Sequence, residues 1–337
     1  MKIRIDHALM WLLFGKRWKE KLWISKKDKR ELENLILIST AETLTDKWCL
    51  KPISIRVDSE YPSFNPSIIK TPIGYILIAR SSNLLNYNDG NYFYKSSPHR
   101  TQNFIVNLNN DLEITSQIRL AECDINEPGA SAEFGFEDIR LFSWYGEIWA
   151  VGAGLKPSAK SNNTEVRQIL FKLDGTQVEE AYVLNSPNDN SVEKNWMPLI
   201  KENELYFAYD LSPLEMVHYK NGKVSKLEES RKKSGDDFEL RGGTPFVLWK
   251  GLYLGVAHSS FKYYKGKRYY LHHFITLDSE MKLLEVSIPF FIQRKGIEFA
   301  SGLIAVEDGI VLSYGVADRG CRVVRIPDSI IEKYITL

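Results

Sequence analysis

Cysteine is scarce in this chain: Cys49, Cys123 and Cys321 are the only three in 337 residues, far apart and without a CxxC pair. An odd and dispersed set excludes a disulfide framework and a structural zinc site, and it suits a reducing compartment. An excess of either charge is also missing. Lys+Arg 44 against Asp+Glu 43 leaves a net charge of +1, whereas a dedicated nucleic-acid binder carries a marked basic excess. Long apolar runs are absent as well. The stretch Ala8 to Phe14 near the N-terminus falls far short of the ~20 residues of a membrane span, and it lacks the flanks of a secretory signal. These absences predict a cytoplasmic protein that does not act on nucleic acid. No Walker loop, HExxH or GxSxG occurs, and Gly152-Ala153-Gly154 opens no helix, so it is not a dinucleotide fingerprint. His272 and His273 are strand neighbours whose rings point to opposite faces, which argues against a shared metal ion. Neither a metal nor a resident cofactor is expected.

Aromatic residues, by contrast, are plentiful at 12%, with 17 Tyr and 8 Trp, which fits β-strands and stacking surfaces. Residues 1 to about 30 stand apart, with ten Lys/Arg against three acids and apolar residues Leu9, Leu12, Leu13 and Trp18 at helix-like separations. This predicts a basic helical extension over 1–50. Its helices pack on the main domain with a hydrated basic face, or touch an anionic membrane surface or a protein partner.

From residue 51 onward, short apolar runs alternate with Gly, Asn, Asp and Pro, the pattern of many short antiparallel strands. One phrase recurs five times: a polar cluster, an apolar strand, a tight turn and an aromatic-rich second strand. The copies begin near Phe64-Asn65-Pro66, Glu137-Asp138-Ile139, Glu193-Lys194-Asn195-Trp196, Arg241-Gly242-Gly243 and Glu298-Phe299-Ala300. Taking Pro66, Ile139, Pro198, Pro245 and Gly302 as equivalent, the steps are 73, 59, 47 and 57 residues. Blades of about 40 to 50 residues with inserted loops would account for them. The expected fold is therefore all-β, a five-bladed β-propeller over 51–337 with a short N-terminal helical extension. Few residues follow the last phrase, so the outermost strand of the final blade is expected from around Ile53 to Val57.

In a propeller the first strand of each blade lines the central channel, so the five openings converge on one mouth. They carry Asn65, then Glu137, Asp138 and Arg140, then Glu193, Lys194 and Asn195, then Arg241, then Glu298. Charged and amide groups in all five copies point to a binding or catalytic site, where convergent acids and bases shift one another's proton affinity.

At these residues the chain resembles the β-mannoside phosphorylases of glycoside hydrolase family 130 and the related propeller-type mannosyltransferases. Phe64-Asn65-Pro66 with Arg80 is similar to that family's first-blade motif, and Glu137-Asp138-Ile139-Arg140 to its Glu-Asp-Pro-Arg motif, with Ile139 in place of proline. Arg241-Gly242-Gly243 with His258, and Ser301-Gly302 with Tyr314 and Asp318, resemble the motifs of the later blades. The resemblance implies a carbohydrate-active enzyme that makes or breaks a glycosidic bond by a single inverting displacement, as a glycosyltransferase or phosphorylase in carbohydrate metabolism or polysaccharide biosynthesis. Asp138 would be the general acid or base. Arg80, Arg140, Lys194, Arg241 and His258 would hold phosphate or the diphosphate of a nucleotide sugar. Asn65 and Asp318 would bind sugar hydroxyls, with Trp196 or Tyr314 as an aromatic face. A two-carboxylate hydrolase stays open, with Glu137, Glu193 or Glu298 as the second acid. So does a non-catalytic glycan-binding or protein-interaction propeller.

Overall fold

A computed structural model describes residues 34–87, 90–95, 100–122, 135–157, 164–227, 239–262 and 267–335. Residues 1–33, and with them the basic stretch of the expected extension, lie outside the described residues, as does Cys123. Strands dominate, and the three described helices are short: 34–40, Leu44–Lys47 and Asp328–Ile331.

Four of the five repeated phrases form the hairpin expected of them. Ser63–Thr71 pairs antiparallel with Gly74–Ser82, Glu137–Trp144 with Glu147–Pro157, Met197–Lys201 with Glu204–Leu211, and Glu298–Val306 with Gly309–Val316. Each hairpin gains two further strands, giving four four-stranded blades. The expectation of five such blades is corrected here, because the fourth phrase builds something else. Its inner strand breaks into Leu240–Arg241 and Val247–Trp249, both paired with Leu252–Lys262. Gly242, Gly243 and Pro245 interrupt it, and proline cannot donate to a ladder. On the far side, Arg268–Leu277 pairs with both Leu283–Val286 and Phe290–Phe291, and Glu42–Thr43 adds in parallel to the latter. The result is a seven-stranded sheet between the third and last blades.

The last blade takes its outer strand from the N-terminal side, as expected: Ile53–Ile55 pairs with Gly320–Pro327, Ile53 opposite Val323. Its inner strand packs on that of the first blade. The ring is thereby closed, and closure removes the edges an open sheet must protect. Residues 34–50 belong to this body rather than to an appendage. Leu44 is fully buried with Trp249, Phe274 and Phe290, Thr45 N–H donates to Ile292 O at 2.9 Å, and Lys295 donates to the carbonyls of Ile38 and Ser39.

Apolar faces of adjacent sheets supply the core. Ile68, Leu77 and Val106 of the first blade meet Val311 and Val323 of the last, and Met197 and Leu199 meet Phe246, Ala257 and Ile275 of the wide sheet. Burying each of the larger aliphatic and aromatic side chains among them contributes roughly 1.5–3 kcal/mol. Among the described residues no helix is long and apolar enough to cross a membrane.

Candidate active site

Three strand entries at the channel mouth share a rare backbone conformation. Asn65 (φ +48°), Asp138 (φ +49°) and Asn195 (φ +64°) are left-handed, a region that Asn and Asp tolerate better than other side chains. In the first two blades the cause is a β-bulge: Asn65 and Pro66 stand opposite one residue of the next strand, and so do Asp138 and Ile139. A bulge re-aims the side chain it carries. Here it turns Asn65 and Asp138 together, so that Asn65 Nδ2 donates to Asp138 Oδ1 at 2.9 Å. Glycine is required beside both kinds of entry. A Cβ on Gly315 would lie 2.1 Å from Asn65 Oδ1, and one on Gly242 would lie 1.8 Å from Asn195 O.

Arg80 lies behind Asp138 with its cation shared between two carboxylates. Nη1 donates to Asp138 Oδ1 at 3.0 Å and Nη2 to Glu137 Oε1 at 2.6 Å. Lys194, from the entry of the third blade, closes the row with Nζ 3.0 Å from Glu137 Oε2. Burial alone would push the Asp138 carboxyl up. Arg80, the Asn65 hydrogen bond, Lys194 and Arg140 outweigh it and bring the group down to about 2. Burial opposes ionisation of Glu137 too, and Arg80 and Lys194 again prevail, lowering it. Arg80 is itself desolvated, yet the two carboxylates hold its proton more tightly than usual.

Asp318, at the end of the last blade's second strand, is the third carboxyl of the mouth. Its Oδ2 accepts from Tyr92 Oη at 2.9 Å and Asn86 Nδ2 at 3.2 Å. Burial raises its proton affinity, and the Asp138 charge adds to the effect. Asn86 and Tyr92 face each other across Leu84–Tyr87 and Asn91–Tyr94, a hairpin inserted in the first blade. On the wide sheet His258 stacks on Tyr270 at 5.1 Å and meets the edge of Phe299 at 5.1 Å. Burial, with Arg241 and Arg140 nearby, holds His258 down at about 3. It is therefore neutral and offers no charge to an anion.

Other expected site residues fall elsewhere. Arg140 is 0% exposed and each of its three nitrogens is committed: Nε to Gly243 O at 2.6 Å, Nη1 to Asp138 O at 2.7 Å, Nη2 to Asn195 Oδ1 at 3.0 Å. It ties blades together instead of reaching an anion. Trp196 is fully buried against Phe207 and Tyr209, its indole N–H on Glu193 at 3.1 Å, so it presents no stacking face. Glu193 also accepts from Tyr209 and Ser186 and fastens the second blade to the third. Glu298 accepts from the backbone of Ile292, Gln293 and Arg294, which shapes that loop, and Tyr314 is buried with its hydroxyl on Gln293. Neither can serve as second acid or aromatic face at the mouth. Arg241 lies at the rim, 54% exposed, 3.7 Å from Glu239. Asn86, Tyr92 and Tyr270 are additions to the expected set: the first two stand on the inserted hairpin and Tyr270 on the strand Arg268–Leu277 of the wide sheet, all outside the repeated phrase.

Beneath His258 lies His272, its directly paired neighbour, fully buried and with neither ring nitrogen hydrogen-bonded among the described residues. Among those residues no group of three or more His, Cys, Asp or Glu could hold a metal ion. Burial and the neighbouring histidines hold His272 well below its ordinary value. An unfolded histidine protonates near pH 6.5 while this one stays neutral, so acid favours the unfolded chain. Glu122 and Glu298, pushed up to about 7 by burial, act in the opposite sense. The informative quantity is thus the difference between wild type and His272→Leu. The variant should gain about 1.4 kcal/mol on wild type for each pH unit below 6.5. Urea unfolding at pH 6.5 and 4.5 measures it, and a pH-independent difference would refute the assignment.

Neither a protein-family model nor a curated protein sequence matches the chain. Solved structures do. The β-1,2-mannobiose phosphorylase from Listeria innocua, in complex with β-1,2-mannobiose, superposes with a TM-score of 0.56 at 13% identity, over 85% of this chain and 96% of that one. A GDP-mannose-dependent mannosyltransferase from Leishmania mexicana gives 0.56 at 11% identity, over 82% and 89%. A structure from the GH130 family of mannoside phosphorylases, described as containing hydrolases that target β-1,2-mannosidic linkages in Candida mannan, gives 0.57 at 11% identity, over 80% and 85%. The propeller architecture of this chain is therefore similar to that of the glycoside hydrolase family 130 phosphorylases and of a propeller-type mannosyltransferase.

Proposed function

We propose that this propeller is a carbohydrate-active enzyme that makes or breaks a glycosidic bond at its channel mouth, on a mannoside-like sugar. The observation that carries this reading is Asp138. It is a carboxylate aimed into the mouth by a strained bulge, gripped by Asn65 and Arg80, with Asp318 beyond it. Backbone strain of this kind concentrates at functional sites. The likeness in fold to phosphorylases, a hydrolase-containing family and a transferase supports the reading. The wide sheet acts as the closing sector of the ring and brings His258 and Tyr270 to the sugar.

Asp138 serves as the one general acid or base of an inverting displacement, directly or through a sugar hydroxyl. Asn65 and Asp318 take sugar hydroxyls, and Tyr92 and Tyr270 flank the ring in place of Trp196 and Tyr314. A phosphate-bearing co-substrate enters on the Lys194 and Arg241 side, as free phosphate in a phosphorylase or as the diphosphate of a nucleotide sugar in a transferase. Thermal unfolding with β-1,2-mannobiose, mannose 1-phosphate and GDP-mannose separates the possibilities. A ligand at 100 times its Kd stabilises by about 2.7 kcal/mol. Stabilisation by mannose 1-phosphate alone indicates phosphorolysis, and by GDP-mannose alone, transfer. No shift with any of the three would remove the mannoside assignment.

A further inference from the structure

Glu137 holds two cations that an anionic substrate would otherwise use. Resting on the reading above, we propose that the phosphoryl group of the co-substrate is seated between Arg80 and Lys194 by displacing Glu137, whose carboxylate fills that seat at rest. The division of its oxygens is the evidence: Oε1 lies 2.6 Å from Arg80 Nη2 and Oε2 lies 3.0 Å from Lys194 Nζ. A phosphoryl group offers the same pair of oxygens with more charge and at least one further acceptor. Access runs from outside inward. The Lys194 side chain is 39% exposed, Glu137 21% and Arg80 7%, so an arriving anion meets the lysine first. The remaining expected anion ligands serve poorly, since Arg140 is committed to protein oxygens, His258 is neutral, and Arg241 lies out at the rim.

The exchange also raises the proton affinity of Asp138. The groups facing Glu137 and Asp138 are Arg80 and Asn65 of the first blade, Arg140 on their own strand, Lys194 from the third, His258 and Tyr270 on the wide sheet and Asp318 of the last blade. At rest the cations of this set keep Asp138 ionised at neutral pH. Once Lys194 turns to an anion, Asp138 loses part of that compensation and gains a negative neighbour, so its proton affinity rises. Binding of the co-substrate and arming of the acid become one event, and coupling of this kind is reciprocal.

The test uses the full chain, Glu137→Gln and Lys194→Met, with inorganic phosphate and GDP as probes in calorimetric titrations. Glutamine keeps the size of Glu137 and removes its charge. At least one probe should bind Glu137→Gln about 10-fold more tightly than wild type, worth about 1.4 kcal/mol, and Lys194→Met about 10-fold more weakly. Tightening confined to phosphate identifies free phosphate as the source of the group, and tightening confined to GDP identifies a nucleotide sugar. Equal or weaker binding of both probes to Glu137→Gln overturns the proposal, as does undiminished binding to Lys194→Met, which decides the matter if the first variant does not fold. Should mannobiose bind wild type while neither anion binds any form, the seat is refuted and the sugar site stands. Should mannobiose fail to bind as well, the functional reading fails with it.

Discussion

Asp138→Asn should lower kcat/KM by about 10² to 10⁴ while leaving the fold in place. General acid–base catalysis by one positioned group contributes about this factor, and the substitution removes the proton chemistry with little else. Asparagine accepts the left-handed backbone at φ +49° as readily as aspartate does. Its amide oxygen can still receive Asn65 and Arg80. The lost charge falls on Arg80, which keeps Glu137 as a partner. Alanine would be a poorer choice, since strain at the bulge would mix with any catalytic effect. Activity on whichever substrate the thermal-shift series selects is the measurement, with circular dichroism as the check on folding. An unaltered rate would transfer the proton role to Asp318, the mouth carboxyl whose surroundings favour the protonated form.

The repeated phrase was legible because propeller hairpins impose a local pattern: polar entry, apolar strand, tight turn, aromatic strand. The velcro strand at Ile53–Ile55 could be anticipated because few residues follow the last phrase. The wide sheet could not. Pairing of Glu42–Thr43 with Phe290–Phe291 joins segments some 250 residues apart, and a two-residue strand carries no periodicity to read. Its broken inner strand did leave a trace in the glycines and proline of Gly242-Gly243-Thr244-Pro245, which the sequence reading assigned to an ordinary blade.

At the site, spacing located the entries but not where each side chain points. Asn65, Glu137, Asp138 and Lys194 turn into the mouth, whereas Glu193, Trp196 and Glu298, drawn from the same kind of entry, turn into the protein. For Asn65 and Asp138 the bulges decide this. They set Asn65 and Asp138 off the alternation that would otherwise govern them, and a bulge reads in sequence only as one residue too many. Tyr92 and Asn86 had a recognisable signal. The stretch Leu84 to Tyr94 holds two short runs rich in aromatic and aliphatic residues around Asn-Asp-Gly, a sequence suited to a hairpin turn. It falls between repeats, outside the recurring phrase.

Arg140 carries the second large expected effect, on stability instead of rate. Resemblance made it an anion ligand, and the structure makes it the tie between sectors. Standing on the second blade, it reaches the wide sheet through Gly243 O, the third blade through Asn195 Oδ1 and the last blade through the Phe299 ring, 5.6 Å from its guanidinium carbon. No other residue type does this. Lysine has one nitrogen where three are used, and it is a point charge where a planar fork is needed. Methionine fills most of the volume but leaves two buried carbonyl oxygens and an amide without donors. Each buried acceptor left without its donor costs about 1–3 kcal/mol, so with three acceptors stranded Arg140→Met should lose at least about 3 kcal/mol and Arg140→Lys at least about 2 kcal/mol. Arg241→Met, at the exposed rim, should stay within about 0.5 kcal/mol of wild type. Denaturant midpoints for the three variants, at an unaltered slope, measure the contrast. If Arg140→Met unfolds at the wild-type midpoint yet loses phosphate binding, the guanidinium is a ligand after all and the ring is held by its apolar faces alone.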